Sequence, residues 1–420
     1  MKKIFLILLI SFCPIIFGQN GFFNKREIPV FRPNIHTEFL IYKLNDDYQM
    51  TYLYKIPYSR LVFEKVNDHF ESQFELAIEV MNKENKIVKR EFVKDKLLSF
   101  NFDETISHNK FLENFVTLYL PKDVYTFQII FEDKLTNRQR PQPQIKISLE
   151  DSTKKYSPIL IEKKIENGKY FIANFSGIIP FSRENFDLIF FPDKILTDNK
   201  YIIRIMQRDS VYLKQNIYPT TFGKPVFEKL NNKVALSFDS TFTLKGLIIK
   251  DINKNLFEGE YQLQIISDDG NEIDSSTLKV NWFTKPFSLN DVDFALEMIS
   301  NIESENALDN LLKQNLSSEE LLKKYWKSKD PTPQTSFNEL MEVFYDRVDY
   351  AELNFRNLSG SSGAKSDRGK VYIQNGAPDR IDRGVNYDGK ITETWYYENP
   401  KRVFVFVDRR GDGSFKLESQ

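Results

Sequence analysis

From Phe74 to Val80 the chain alternates without a break, with Phe74, Leu76, Ile78 and Val80 on one side and Glu75, Ala77 and Glu79 on the other. A period of two is a strand with one buried face, and a helix cannot present it. Asn82 to Lys86 reads as a turn into a second run that ends near Val93, so the pair forms a hairpin. Similar short runs, among them Tyr201 to Ile205 and Val234 to Phe238, recur as far as Trp282 with no convincing helix between them. The 37 Phe and 20 Tyr of the chain suit half-buried pleated surfaces. These features predict two all-β, immunoglobulin-like sandwich modules, 19–150 and 151–285. The polar, proline-bearing segments Asn137 to Pro143 and Asp151 to Ser157 mark the seam.

An internal echo supports two copies. Leu120, Asp123, Tyr125, Phe127 and Ile129 line up with Leu256, Gly259, Tyr261, Leu263 and Ile265. In each copy a turn residue precedes a tyrosine that opens an alternating strand. Sandwich folds use such a tyrosine as a corner, with its hydroxyl bonded back to nearby backbone.

At Ser288 the period changes. Leu289, Val292, Ala295, Leu296 and Ile299 recur at helical spacing, with Ser288 as the expected N-cap. Ser317 and Glu320 form a capping box for a helix carrying Leu321, Leu322, Tyr325 and Trp326, which Asp330-Pro331-Thr332-Pro333 stops. A second box, Ser336 with Glu339, opens a helix whose stripe is Phe337, Met341, Phe344, Val348, Ala351 and Phe355. Beyond it, Lys370–Ile373, Thr394–Tyr397, Arg402–Val407 and Ser414–Leu417 read as strands, with a turn at Asn375–Asp379. Helices followed by an antiparallel run predict a small α+β domain over 286–420.

The start of the chain reads as a secretory signal peptide, residues 1–18. It has Lys2 and Lys3, then an apolar run from Ile4 to Phe17, then Gly18 as the cleavage residue. Cys13, the only cysteine, follows Phe12, where a lipoprotein signal wants a small residue, so the mature chain is expected to carry no thiol. No later run is long and apolar enough for a membrane-spanning helix. The net charge of −1, with no basic block, gives no footing for nucleic-acid binding. His36, His69 and His108 lie far apart and read as exposed turn residues, so no metal site is expected.

The last third resembles the GWxTD-domain family of exported bacterial proteins, whose biochemical role is not established. The namesake pentapeptide falls on Gly363-Ala364-Lys365-Ser366-Asp367, with Ala364 in place of tryptophan and Ser366 in place of threonine. Agreement is better around it, at Asp330-Pro331-Thr332-Pro333, Arg347, Tyr350-Ala351, Asp367-Arg368-Gly369, Tyr372-Ile373, Gly376, Pro378-Asp379 and Trp395-Tyr396-Tyr397. The final strands are also similar to small outer-membrane assembly lipoproteins of the BamE type, a local likeness only.

The resemblance directs attention to the loop Ser359–Asp379 and to Lys365, Ser366, Asp367, Arg368, Asp379 and Trp395 as binding residues. Two chemistries compete there. Lys365, Ser366 and Asp367 would serve a hydrolase or transpeptidase, but no histidine lies in the domain to act as base. In the structural reading Asp367 caps a turn and Arg368 pairs with Asp330 or Asp379. The expectation is therefore an extracytoplasmic, non-catalytic protein without a cofactor that binds another cell-envelope protein. A carbohydrate-binding role is the further alternative, because aromatic-rich sandwiches offer stacking surfaces.

Overall fold

Strand Asp47–Pro57 sets the architecture, because every residue in it after Asp47 is buried. A strand covered on both faces must sit inside a stack of sheets. It lies between His36–Leu44 and Phe111–Pro121 in a three-stranded antiparallel sheet. The computed structural model describes residues 35–107, 110–150, 156–166, 168–173, 176–230 and 232–419. The expected signal peptide with Cys13, the segment 151–155 and His108 lie outside the described residues.

On one side, Tyr48, Met50, Tyr52, Tyr54 and Ile56 meet Phe74, Leu76, Ile78, Val80, Phe127 and Ile129 of a six-stranded sheet. The other side presents Leu40, Tyr42 and Leu53 to Ile159, Ile161, Ile189 and Leu236. Those residues belong to a third, five-stranded sheet, whose strand Phe186–Phe190 again alternates between two cores: Ile189 faces back, while Leu188 and Phe190 face onward. The onward face meets Ile203, Ile205, Leu263 and Ile265 of a fourth, also five-stranded, sheet. The chain is therefore mostly β-strand in several stacked sheets, with few helices and a small C-terminal β domain.

Both tyrosines of the internal echo make the back-bond. Tyr125 Oη donates to the carbonyl of Pro121 at 3.1 Å and Tyr261 Oη to that of Phe257 at 3.1 Å. A third instance was not read from the sequence: the hydroxyl of Tyr201 accepts from the N–H of Thr197 at 3.1 Å.

The C-terminal region departs from expectation in its caps. Asp291, not Ser288, caps the helix Val292–Met298, while Ser288 sits in a 3-10 turn whose first N–H groups are bound by Asp349. Asn338, not Ser336, caps the helix Glu339–Asn354. The hydroxyl of Ser336 instead donates to the carbonyl of Leu256 at 2.6 Å and ties the approach to the helix to the loop that leads into the fourth sheet. Phe337 then inserts between Phe181 and Trp282. The Ser317–Glu320 capping box is present as read.

The larger correction concerns Lys370–Ile373, which is not a strand but part of the helix Asp367–Asn375. Its β-branched residues mislead because a local cap at Ser366 and a close packing site at Gly369 override propensity. The closing sheet has four antiparallel strands in sequential order: Arg380–Val385, Ile391–Glu398, Lys401–Asp408 and Phe415–Ser419. Trp395, Tyr397, Phe404 and Phe406 point from it toward Val371, Tyr372 and Phe355 of the helices. Burying one such aromatic stabilises by about 2 kcal/mol.

Candidate functional site

The pentapeptide Gly363–Asp367 is clamped from below by the end of the long helix. The buried carboxylate of Glu352 accepts from the Ala364 N–H at 3.0 Å and the Ser362 hydroxyl at 2.5 Å, and pairs with Arg356 at 2.5 Å. Only glycine fits at 363, since a Cβ there would sit 2.2 Å from the carbonyl oxygen of Ala351. Gly369 is equally constrained, with its virtual Cβ 2.1 Å from the carbonyl oxygen of Gly363. Two backbones thus touch where side chains would hold them apart.

Ala364, at the family's tryptophan position, is fully buried in a cluster with Phe294, Trp326, Tyr345, Val348 and Ala351. Trp326 already occupies that cluster, donating to the hydroxyl of Tyr345 at 3.1 Å, which in turn donates to the carbonyl of Ala295.

The side chains that suggested chemistry point apart. Ser366 Oγ accepts from the Gly369 N–H at 3.0 Å and donates to the Gly363 carbonyl at 2.7 Å, which makes it an N-cap. Lys365 turns outward to Glu297 at 2.5 Å. Asp367 accepts the Leu417 N–H at 3.0 Å and stands 3.5 Å from Lys416, joining the helix start to the last strand.

Arg368 is buried, but its partner is Glu393 at 3.2 Å rather than Asp330 or Asp379. Asp330 instead holds the Thr332 N–H, and Asp379 holds the Glu398 N–H at 2.7 Å. The Arg368 guanidinium lies 4.0 Å from the centre of the Phe415 ring and also donates to the Gly413 carbonyl. Glu393 is shared, pairing with Arg383 at 3.1 Å and accepting from the indole of Trp395 at 3.3 Å. Trp395 itself is core, 1% exposed.

Sequence reasoning missed Glu352 and Glu393, the two carboxylates around which this region is tied. Their signal was faint: an acidic residue inside an apolar stripe, and one inside an aromatic strand. Asp349, half-buried on the long helix, has its pKa pushed up to about 6 by burial although two backbone N–H groups hold its charge. Of the six named residues, Asp379 borders an open cleft of about 310 Å³ with Arg380, Tyr396, Tyr397, Glu398, Lys401 and Val403.

The histidines correct a smaller expectation: His36 and His69 lie in strands, not turns. His36 packs against Phe283, and burial together with the neighbouring Lys55 lowers its pKa to about 4. His69 is held between Asp68 and Glu71. Among the described residues no group of three or more His, Cys, Asp or Glu side chains could hold a metal ion, and no helix is long and apolar enough to cross a membrane.

A helix-backed antiparallel sheet joined to stacked β-sheets is the class this architecture defines. The GWxTD domain model matches residues 263–418, so the C-terminal part of this chain is a GWxTD domain, and the match begins within the fourth sheet. Among solved structures, the chain is similar at 8% identity to "Biofilm associated protein - BSP domain", over 62% of this chain and 54% of that one, with a TM-score of 0.16. It therefore spans about half of that structure's length. A second, "pT26-6p", is similar at 10% identity over 82% and 85% of the two chains, with a TM-score of 0.15. Scores that low carry no argument about fold or function. No curated protein matches.

Proposed function

We propose that this is an exported, non-catalytic cell-envelope protein that binds another envelope protein, as a scaffold or adaptor, through its GWxTD domain. One observation carries the reading: each reactive side chain of the pentapeptide is spent on structure. A nucleophile needs a base within hydrogen-bond reach. Ser366 Oγ is engaged by Gly363 and Gly369, while Lys365 reaches Glu297 in the opposite sense. The export half rests on the Lys2–Gly18 pattern, and it expects the mature chain to begin at Gln19. The two tyrosine back-bonds support the finer view that the stacked sheets derive from immunoglobulin-like modules.

The test is complementation of a deletion strain, with in-cell cross-linking of the tagged chain and mass analysis of its N-terminus. Lys365→Ala removes only an exposed ion pair, so melting temperature, cross-linked partner and phenotype are expected to stay unchanged. Loss of the phenotype at unchanged melting temperature, with the cross-linked partner retained, would overturn the binding reading in favour of the hydrolase. An intact Lys2 in the purified envelope form would overturn the export half.

A further inference from the structure

The four-stranded sheet of the GWxTD domain ends in two different edges. At one, Phe415–Ser419, the carboxylate of Asp367 takes the Leu417 N–H, Lys416 pairs with Asp367, and Glu418 pairs with Arg409. At the other, Arg380–Val385, all six residues are exposed, including Ile381 at 42% and Val385 at 66%. None of the described side chains hydrogen-bonds the backbone of that strand. An open edge offers a row of unpaired backbone groups to any strand that matches it.

The sequence at this edge is complementary to itself. Asp379-Arg380-Ile381-Asp382-Arg383 is antisymmetric in charge about Ile381. Laid antiparallel on a second copy with Ile381 at the centre, Arg380 faces Asp382, Asp379 faces Arg383, and Ile381 faces Ile381. A two-fold axis perpendicular to the sheet keeps each face consistent, since residues an even number apart share a side. Arg380, whose guanidinium lies 4.1 Å from the centre of the Tyr396 ring, and Asp382 already reach each other within one chain at 3.2 Å; both are more than half exposed, so each can be reached by its counterpart across the axis.

Charges on an edge strand ordinarily repel strand addition. Here the order of the signs decides: like charges would meet in registers centred on Asp382 or Arg383, whereas opposite charges meet only in the register centred on Ile381.

We infer that the open edge Asp379–Val385 is a homodimer interface, at which a second copy of this chain pairs antiparallel about Ile381 to make one continuous eight-stranded sheet. The inference stands apart from the partner-binding reading above, since that reading uses no second copy. A strand pair this short buries less than a standard interface, so the dimer is weak, with a Kd on the order of tens of micromolar.

The test uses sedimentation of the full mature chain up to about 200 µM, well above that Kd, together with cysteine cross-linking. The only native cysteine lies in the expected signal peptide. Ile381→Cys is expected to form an inter-chain disulfide on mild oxidation, and Val385→Cys, displaced from the axis, is not. Arg380→Asp or Asp382→Arg alone turns two attractive pairs into two repulsive ones and is expected to weaken the dimer about tenfold or more. The double variant, with the charges exchanged, is expected to restore it. A wild type that stays monomeric at the top concentration, without Ile381→Cys cross-linking, overturns the inference. So does a dimer that ignores both single reversals.

Discussion

The stacked sheets and the GWxTD domain bury their interiors in different ways. Between the first and third sheets the filling is mostly aliphatic and aromatic, Leu40, Leu53, Ile161, Ile189 and Leu236, beside a buried ion pair of Lys55 with Glu113 at 3.2 Å and polar contacts such as Gln49 to the Pro225 carbonyl. In the GWxTD domain the critical positions are charged: Glu352 gathers Arg356, Ser362 and Ala364, and Glu393 gathers Arg368, Arg383 and Trp395. Apolar layers tolerate substitution in proportion to the volume lost. A buried charge network fails at once when one member goes, because the others stay buried without partners.

The sharpest test of that contrast is Glu352→Ala. It leaves the Ala364 N–H and the Ser362 hydroxyl without their acceptor and takes the ion pair from Arg356, which keeps its bond to the Glu352 carbonyl, and the expected loss is about 3 kcal/mol. Ile161→Val, deep in the apolar layer, is expected to cost only about 1 kcal/mol. Urea denaturation followed by tryptophan fluorescence measures both, since Trp282 lies in the sheet stack and Trp326 and Trp395 in the GWxTD domain. Equal losses would mean that the domain tolerates a broken charge knot as readily as the sheets tolerate a missing methyl.

Restoring the family tryptophan is the next test. Ala364→Trp forces a large ring into a cluster that Trp326 and Tyr345 already fill. Overpacking is expected to destabilise by about 1–3 kcal/mol or more. A stabilised variant would show that the cluster holds space for both rings.

Ser366→Ala comes third, at about 1 kcal/mol for a lost N-cap, with Ser366→Thr close to neutral. Melting temperature reads both. A Thr variant as unstable as the Ala variant would deny the hydroxyl its capping role.

These contrasts also show what the sequence could disclose. Alternation at Phe74–Val80 predicted a strand whose outer face meets water, and Tyr48, Met50, Tyr52, Tyr54 and Ile56 alternate with Gln49, Thr51 and Lys55 in the same way, yet that strand is covered on both faces, which a period of two does not record. The tyrosine corners were legible because turn, ring and strand recur together. The helix at Asp367–Asn375 was hidden by its β-branched residues, since its start depends on Ser366 and its seat on Gly369 meeting the Gly363 carbonyl, while Gly363 meets the backbone of the long helix. Arg368 was rightly read as an ion-pair partner, yet Glu393 lies 25 residues on, and only the closed sheet brings it within reach. Local pattern records a residue's own element. It does not record which distant carboxylate that element will meet.

The smallest expected effect separates the two regions by pH. His36, in the first sheet, has its pKa lowered to about 4 by burial and by Lys55, so the unfolded chain binds its proton before the native chain does. The contribution of neutral His36 to stability is therefore lost as pH falls from about 6.5 to 4, and it is flat below that. Asp349, on the long helix, has its pKa raised to about 6, so there the native chain binds the proton first. Its contribution runs the other way: stability is gained as pH falls from about 6 to 3.9. The two effects oppose each other in the intact protein, and each is read as the difference between a variant's urea midpoint and the wild type's across these limits. His36→Gln removes the first, so its midpoint is expected to rise on acidification relative to the wild type. Asp349→Asn removes the second, and its midpoint is expected to fall. If both variants follow the wild-type curve, neither burial is deep enough to matter. If they move in the same direction, the opposition between the β-stack and the GWxTD domain is wrong at these two residues.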